Sequence, residues 1–147
     1  MGDTQAITEV LARYVRATDE RDGAGQGALF TDDAVTQIYA RTDDGYEAAG
    51  EPLIGGSGVR FAVENFLAAH PSGGCSHHIT ADHLVEIDGD SAHLNAQYLV
   101  LEVRSLPEPA IRIAETGYYD TDLRRVNGEW KIVHHRVLGD LPLGVQA

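Results

Sequence analysis

The spacing of apolar residues changes from helical to alternating partway along the chain, and that change limits the possible folds more than any other feature. Over Thr4 to about Arg21, Ile7, Val10, Leu11, Tyr14 and Thr18 recur at helical spacing, with Glu9, Arg13, Arg16 and Glu20 on the other faces. In the second half the period is two. HLVEIDGDSAHLNAQYLVLEV reads as a strand, a turn at Asp88-Gly89-Asp90 and a longer strand, and IRIAETGYYDTDLRRVNGEWKIVHHRV repeats the design around Asn127-Gly128.

Between these regions, Asp22 to Phe30 suggests a second short helix weakened by glycine, and DDAVTQIYA suggests a strand. RTDDGYEAAGEPLIGG reads as turn and loop, while Val59, Val63, Phe66 and Leu67 give Gly58 to Ala69 an amphipathic helical pattern that His70-Pro71 ends. Helices first and antiparallel hairpins afterwards predict an α+β fold, with the helices packed on one face of a curved sheet. At 147 residues, the chain is expected to form one domain spanning 1–147.

Eleven Lys and Arg against 23 Asp and Glu give a net charge of -12, which repels nucleic-acid backbones and anionic membranes. The single Cys75 cannot form an internal bridge, and the N-terminus lacks a basic region followed by an apolar run. No apolar run has the length of a membrane span. These features lead to the expectation of a soluble cytoplasmic protein.

The words LARYVRATDERD, ALFTDDAV, SHHIT, VEIDGDSAHLNAQYLV and LRRVNGEWKIVHHRV, which together span nearly the whole chain, resemble the SnoaL-like branch of the nuclear transport factor 2-like superfamily. The resemblance implies a cone-shaped α+β fold around a central pocket. That superfamily holds scytalone dehydratase, steroid Δ5-3-ketoisomerase, limonene epoxide hydrolase, hexachlorocyclohexane dehydrochlorinase, polyketide cyclases and proteins that only bind, so chemistry has to be argued residue by residue.

Asp19 lies at the flank of the first helix's apolar stripe, and the sequence alone leaves it either a solvated acid or a carboxylate looking into the core. By the resemblance, Asp19 in TDERD matches the acid that orients a catalytic histidine in the dehydratase and the dehydrochlorinase, and His78, the second of SHH, matches that histidine. A carboxylate on one ring nitrogen fixes the tautomer and leaves the other free to take a proton from carbon. His77 is expected to point the opposite way, toward the surface.

Tyr14, in ARYV, matches the ketosteroid isomerase tyrosine that donates to the developing oxyanion; a core aromatic is the alternative. The isomerase's general-base position carries Ile38, which argues against that mechanism. Tyr39 is a weaker match to a substrate-holding tyrosine of the dehydratase, and the dehydratase's second histidine falls at Leu99 or Leu101.

His93, Asn95, Gln97, Leu99 and Leu101 share one strand face, polar and then apolar, which suits a pocket wall; this makes Asn95 and Gln97 candidate ligand contacts. Tyr119 matches a polar pocket position of the dehydratase, with a cross-strand aromatic pair as the alternative. Trp130 and Ile132 should point inward and carry His134 and Arg136 with them, making Arg136 a candidate anchor for an anion or carbonyl, with a rim salt bridge as the alternative.

His77-His78 and Asp82-His83 lack metal-ligand spacing, Cys75 lacks a nucleophile elbow, and no phosphate or dinucleotide fingerprint is present, so neither a metal nor a cofactor is expected. The expected function is cofactor-independent acid–base chemistry on a small, apolar, oxygenated metabolite, most simply a dehydratase-like lyase. The alternatives are an isomerase or polyketide-cyclase type of activity, and a non-catalytic binding or accessory subunit. The expected partners are a small-molecule ligand and a second copy in a homodimer or higher homo-oligomer.

Overall fold

A computed structural model describes residues 2–142. The first helix, α1 (Asp3–Glu20), buries Ile7, Val10 and Leu11 of the stripe that its periodicity marks, leaves Tyr14 and Thr18 half-buried, and adds Val15 to the core. It stops at Arg21, whose left-handed backbone (φ 59°) directs its N–H to Thr18 O, while the Asp22 N–H reaches Ala17 O. The short α2 (Gly23–Gly27) is capped by the Asp22 side chain, which accepts from the Gly25 N–H at 2.8 Å.

Glycine that weakens α2 as a helix also lets it touch α3 (Gly55–Phe66). A Cβ on Gly27 or Gly56 would run into the other's carbonyl oxygen. The two helices therefore pack backbone to backbone.

The strands are β1 (Phe30–Thr42), β2 (Gly45–Ala48), β3 (Leu53–Ile54), β4 (Cys75–Asp88), β5 (Ser91–Arg104), β6 (Ala110–Val126) and β7 (Glu129–Gly139). They form one sheet in the order β2-β1-β7-β6-β5-β4, with β3 also on β1. β1 and β7 pair in parallel and every other pair is antiparallel, so the architecture is mixed α+β with the helices on one face. The two hairpins read from the sequence are β4–β5 and β6–β7, and their inner faces bury Leu94, Ala96, Tyr98, Tyr119, Leu123 and Ile132.

Several boundaries differ from the sequence reading. Part of the expected loop after β1 folds back on it as β2, paired from Thr42↔Gly45 to Tyr39↔Ala48. β4 begins at Cys75, well ahead of His83, so both His77 and His78 lie within the strand; a register shift between Ala81 and Leu84 interrupts its alternation, with Asp82 at φ 53°.

Two assignments of strand faces are corrected. On β5 the inward face is Ala92, Leu94, Ala96, Tyr98 and Val100, so Asn95 and Gln97 lie outside, away from the core. Alternation defines two faces, and the wholly apolar one is buried because the polar one finds carboxylate partners outside: Asn95 donates to Asp120 and Gln97 to Asp82.

On β7 the pairing passes from Leu123↔Ile132 to Asp122↔His134, leaving Val133 as the extra residue of a bulge. Beyond it the faces exchange. His135 is fully buried, and His134 and Arg136, expected inside, lie outside.

Candidate active site

The end of α1 faces the start of β4. Ser76 and His78, two residues apart on one strand face, meet the Asp19 carboxylate together. The Ser76 hydroxyl donates to Asp19 Oδ1 at 2.8 Å, the His78 backbone N–H donates to Oδ2 at 2.9 Å, and His78 Nδ1 lies 2.6 Å from Oδ1. The Asp19 and His78 side chains are only 15% and 13% exposed.

A carboxylate only accepts, so the short contact puts a ring proton on Nδ1, while Nε2 has no hydrogen-bond partner among the described residues. His70 Nε2 lies 2.8 Å from the Asp19 backbone oxygen, and Arg21 braces the same corner by donating to Thr18 O and Ala68 O at 2.7 and 3.0 Å. The acid is thus fixed through both its side chain and its backbone.

Beside this pair is an apolar cavity of about 520 Å³ between α1, α3, β1 and the loop that precedes β3. Ile38, Val63, Phe66 and Val137 contribute apolar wall, and Tyr14, Thr18 and Thr36 contribute polar groups. On α1 the lining stops at Thr18, one residue short of Asp19; His78 is not part of it.

Tyr14 therefore sits at the cavity. Burial first, and then the Glu115 charge, push its pKa far above the ordinary tyrosine value, so the hydroxyl stays protonated and available as a donor. The ring packs edge-on against His135 at 4.4 Å between centroids, and the Tyr14 backbone oxygen accepts from Gln26 Nε2 at 2.9 Å.

Tyr119 points inward but is 3% exposed, stacked on Tyr98 at 4.4 Å and on His135 at 5.3 Å. The aromatic pair held open by the sequence is the geometry found. Tyr39 alternates with Ile38, which lines the cavity, and is not itself among the lining residues.

Arg136 belongs to a network on the outer face. It donates to Asp120 and Asp122 at 3.4 and 3.0 Å, and His93 bridges the same two carboxylates.

Sequence reasoning missed Ser76, Tyr98, Glu115 and His135. The Tyr98 hydroxyl donates to Glu115 Oε1 at 2.6 Å, and Glu115 pairs with Val100, which also pairs with His78. His78 and Glu115 thus flank Val100 on neighbouring strands of the same face. Ser76 was legible from its spacing of two from His78, and Glu115 from its alternation with Gly117 and Tyr119. His135 was hidden by the bulge.

A curved, mostly antiparallel sheet with N-terminal helices packed over an apolar cavity, and a hydrogen-bonded Asp–His pair beside it, define an α+β cone. The sequence matches the SnoaL-like domain over residues 1–136, and the chain belongs to that family. No curated protein matches the sequence.

Among solved structures, Rv3472, a protein of unknown function from Mycobacterium tuberculosis, is similar over 94% of this chain and 72% of its own, at 25% identity and a TM-score of 0.74. An NTF2-like protein with a cystatin-like fold from Novosphingobium aromaticivorans matches over 97% and 84%, at 17% identity and a TM-score of 0.73. A protein from the same organism, assigned as the β subunit of an aromatic-ring-hydroxylating dioxygenase, matches over 92% and 88%, at 20% identity and a TM-score of 0.75. The fold is therefore NTF2-like.

Proposed function

We propose that this chain is a cofactor-independent acid–base enzyme acting on a small, largely apolar, oxygenated metabolite, with a dehydratase-like elimination as its reaction. The observation that supports this reading is the half-wrapped Asp19 carboxylate, which holds Nδ1 of His78 at 2.6 Å and so leaves Nε2 as a base. Nε2 takes a proton from the carbon next to a carbonyl, and the electron pair becomes the carbon–carbon double bond. The β-hydroxyl then leaves as water, carrying the proton that the imidazolium returns. Tyr14 donates to the carbonyl oxygen as charge develops there.

With no leaving group beside the carbanion, the same abstraction ends in isomerisation or in an aldol-type cyclisation. The missing isomerase base at Ile38, itself in the cavity wall, favours elimination.

The test is incubation of the protein in D2O with a panel of hydroxylated ketones, followed by NMR for deuterium uptake and loss of water. Wild type should turn over at least one compound, and His78→Gln should lower that rate by about 10² to 10⁴. Turnover unchanged in His78→Gln, or none by wild type across the panel, overturns the reading.

A second reading is favoured by one observation: the cavity lining stops at Thr18, so a ligand there has to extend past that residue to meet His78. In this reading the chain binds without chemistry, alone or as an accessory subunit. It gains ground if an apolar ketone binds and no compound exchanges.

For assembly, a homodimer through the outer sheet face is supported by Ile79, Ile111 and Ile113, which are 48%, 70% and 56% exposed. Sedimentation of wild type against Ile113→Glu tests it, with a shift to monomer expected.

A further inference from the structure

Eight of the eleven Lys and Arg side chains have a carboxylate within 4.0 Å: Arg13, Arg41, Arg60, Arg112, Arg124, Arg125, Lys131 and Arg136. In a chain of net charge -12 that is the expected fate of a cation. Arg16, Arg21 and Arg104 have no such partner among the described residues, and Arg21 and Arg104 line the same cleft of about 600 Å³.

This cleft is distinct from the apolar cavity. Phe66 and Leu67 line the cavity, while the next stretch, Ala68 to Pro71, lines the cleft. Val103 and Ala110 form part of the opposite wall, and Arg112 also contributes, but Glu102 neutralises it with contacts of 3.1 and 2.7 Å. Two uncompensated guanidinium groups remain. Among the described residues that line the cleft, Glu102 is the only one with a carboxylate, and the Asp19 carboxylate accepts from the hydroxyl of Ser76 at its edge.

The two cations are also held in place. Arg21 spends Nε on Ala68 O and one Nη1 hydrogen on Thr18 O, leaving Nη2 without a partner among the described residues. Arg104 uses Nε on the Glu108 backbone oxygen at 3.3 Å, leaving both terminal nitrogens without a partner among the described residues. A guanidinium edge matches the two oxygens of a carboxylate, and the apolar walls suit a hydrocarbon body. A single negative charge also meets less repulsion from this acidic chain than a phosphate would.

We propose that the cleft lined by Arg21 and Arg104 is a binding site for a small apolar monocarboxylate. It stands independently of the acid–base reading, since binding there requires nothing of His78.

The experiment titrates ¹⁵N-labelled protein at low salt with sodium benzoate, with benzyl alcohol as the neutral counterpart and with inorganic phosphate. Benzoate should shift the amides of Ala68, Ala69, Val103 and Ala110 and bind more tightly than the other two. Arg104→Gln should weaken benzoate about tenfold, the scale of one charge-assisted hydrogen bond. Arg16→Gln, which removes a cation outside the cleft, should leave it unchanged. Arg104 is chosen because Arg21 also braces the end of α1. Equal response to the alcohol, tighter binding of phosphate, unaltered affinity in Arg104→Gln, or no shift at these amides overturns the proposal.

Discussion

Thr36 and His135 face each other across the parallel β1–β7 pair, and each keeps one buried polar atom, Oγ1 and Nε2, that no described residue satisfies. His135 spends its other nitrogen on Thr121 Oγ1 at 2.8 Å and is completely buried. Burial first, and then the charges of His134 and Arg136, pull its pKa down to about 3.

The consequence is acid lability. Below the unfolded-state value of about 6.5, the unfolded chain binds a proton that the native protein refuses, so stability falls with pH until about 3. His135→Phe keeps an aromatic ring against Tyr119 and removes that proton. It should be less stable near pH 7, by about 1 kcal/mol for the lost Thr121 bond, and its urea midpoint should fall less steeply between pH 6.5 and 4 than wild type. Parallel midpoint curves for the two proteins would exclude this role.

His93 predicts the opposite slope. Its two ring nitrogens lie 2.7 Å from Asp122 and 2.8 Å from Asp120, and only the protonated ring can donate to both carboxylates. Burial opposes that charge, but the Asp122 hydrogen bond and the two carboxylates outweigh it and raise the pKa. Its contribution is fully present below about pH 6.5 and is lost as pH rises through the folded value. His93→Gln should therefore be less stable than wild type at pH 6, with the gap narrowing in denaturant titrations as the pH is raised.

Gly117 is required by the Leu138 carbonyl oxygen and by Tyr98. A Cβ there would lie 2.8 Å from Tyr98 Cε1 and closer still to the Leu138 carbonyl oxygen. Gly117→Ala should cost about 1–3 kcal/mol and lower the melting temperature, because the Cβ overlaps the Leu138 carbonyl oxygen, which moves only with its strand, and crowds the Tyr98 ring as well. Thermal unfolding of the variant, compared with Gly58→Ala, where the Cβ would make only ordinary contacts at 3.5 Å or more, separates overpacking from unfolded-state effects.

How much of this was legible in the sequence depends on whether a strand keeps its alternation. The hairpin turns and the buried stripe of α1 follow from spacing and turn chemistry, because those signals are local. The inward face of β7 does not: Ile132 and His135 both point inside although three positions apart, since Val133 bulges. On β5, alternation separated Asn95 from Leu94 correctly but could not say which face meets the helices. Asp19 and His78 are nearly sixty residues apart, and their meeting depends on how α1 docks on β4, which only the family resemblance anticipated.

The Asp19 contacts separate positioning from simple support. Ser76→Ala removes one donor and leaves both His78 contacts, so it should cost about 1 kcal/mol and lower turnover only a few-fold. Asp19→Asn keeps the shape but puts an NH2 where one of the two accepting oxygens stood, so at least one of the Ser76 and His78 donors loses its partner. That substitution should cost about 1–3 kcal/mol and abolish the preference for a proton on His78 Nδ1. The ¹⁵N shifts of the His78 ring read the tautomer directly: Nδ1–H with bare Nε2 in wild type and Ser76→Ala, and a mixture or reversal in Asp19→Asn. If Asp19→Asn leaves the ring spectrum of wild type, the carboxylate only secures the end of α1, and the proton-transfer role of His78 loses its support.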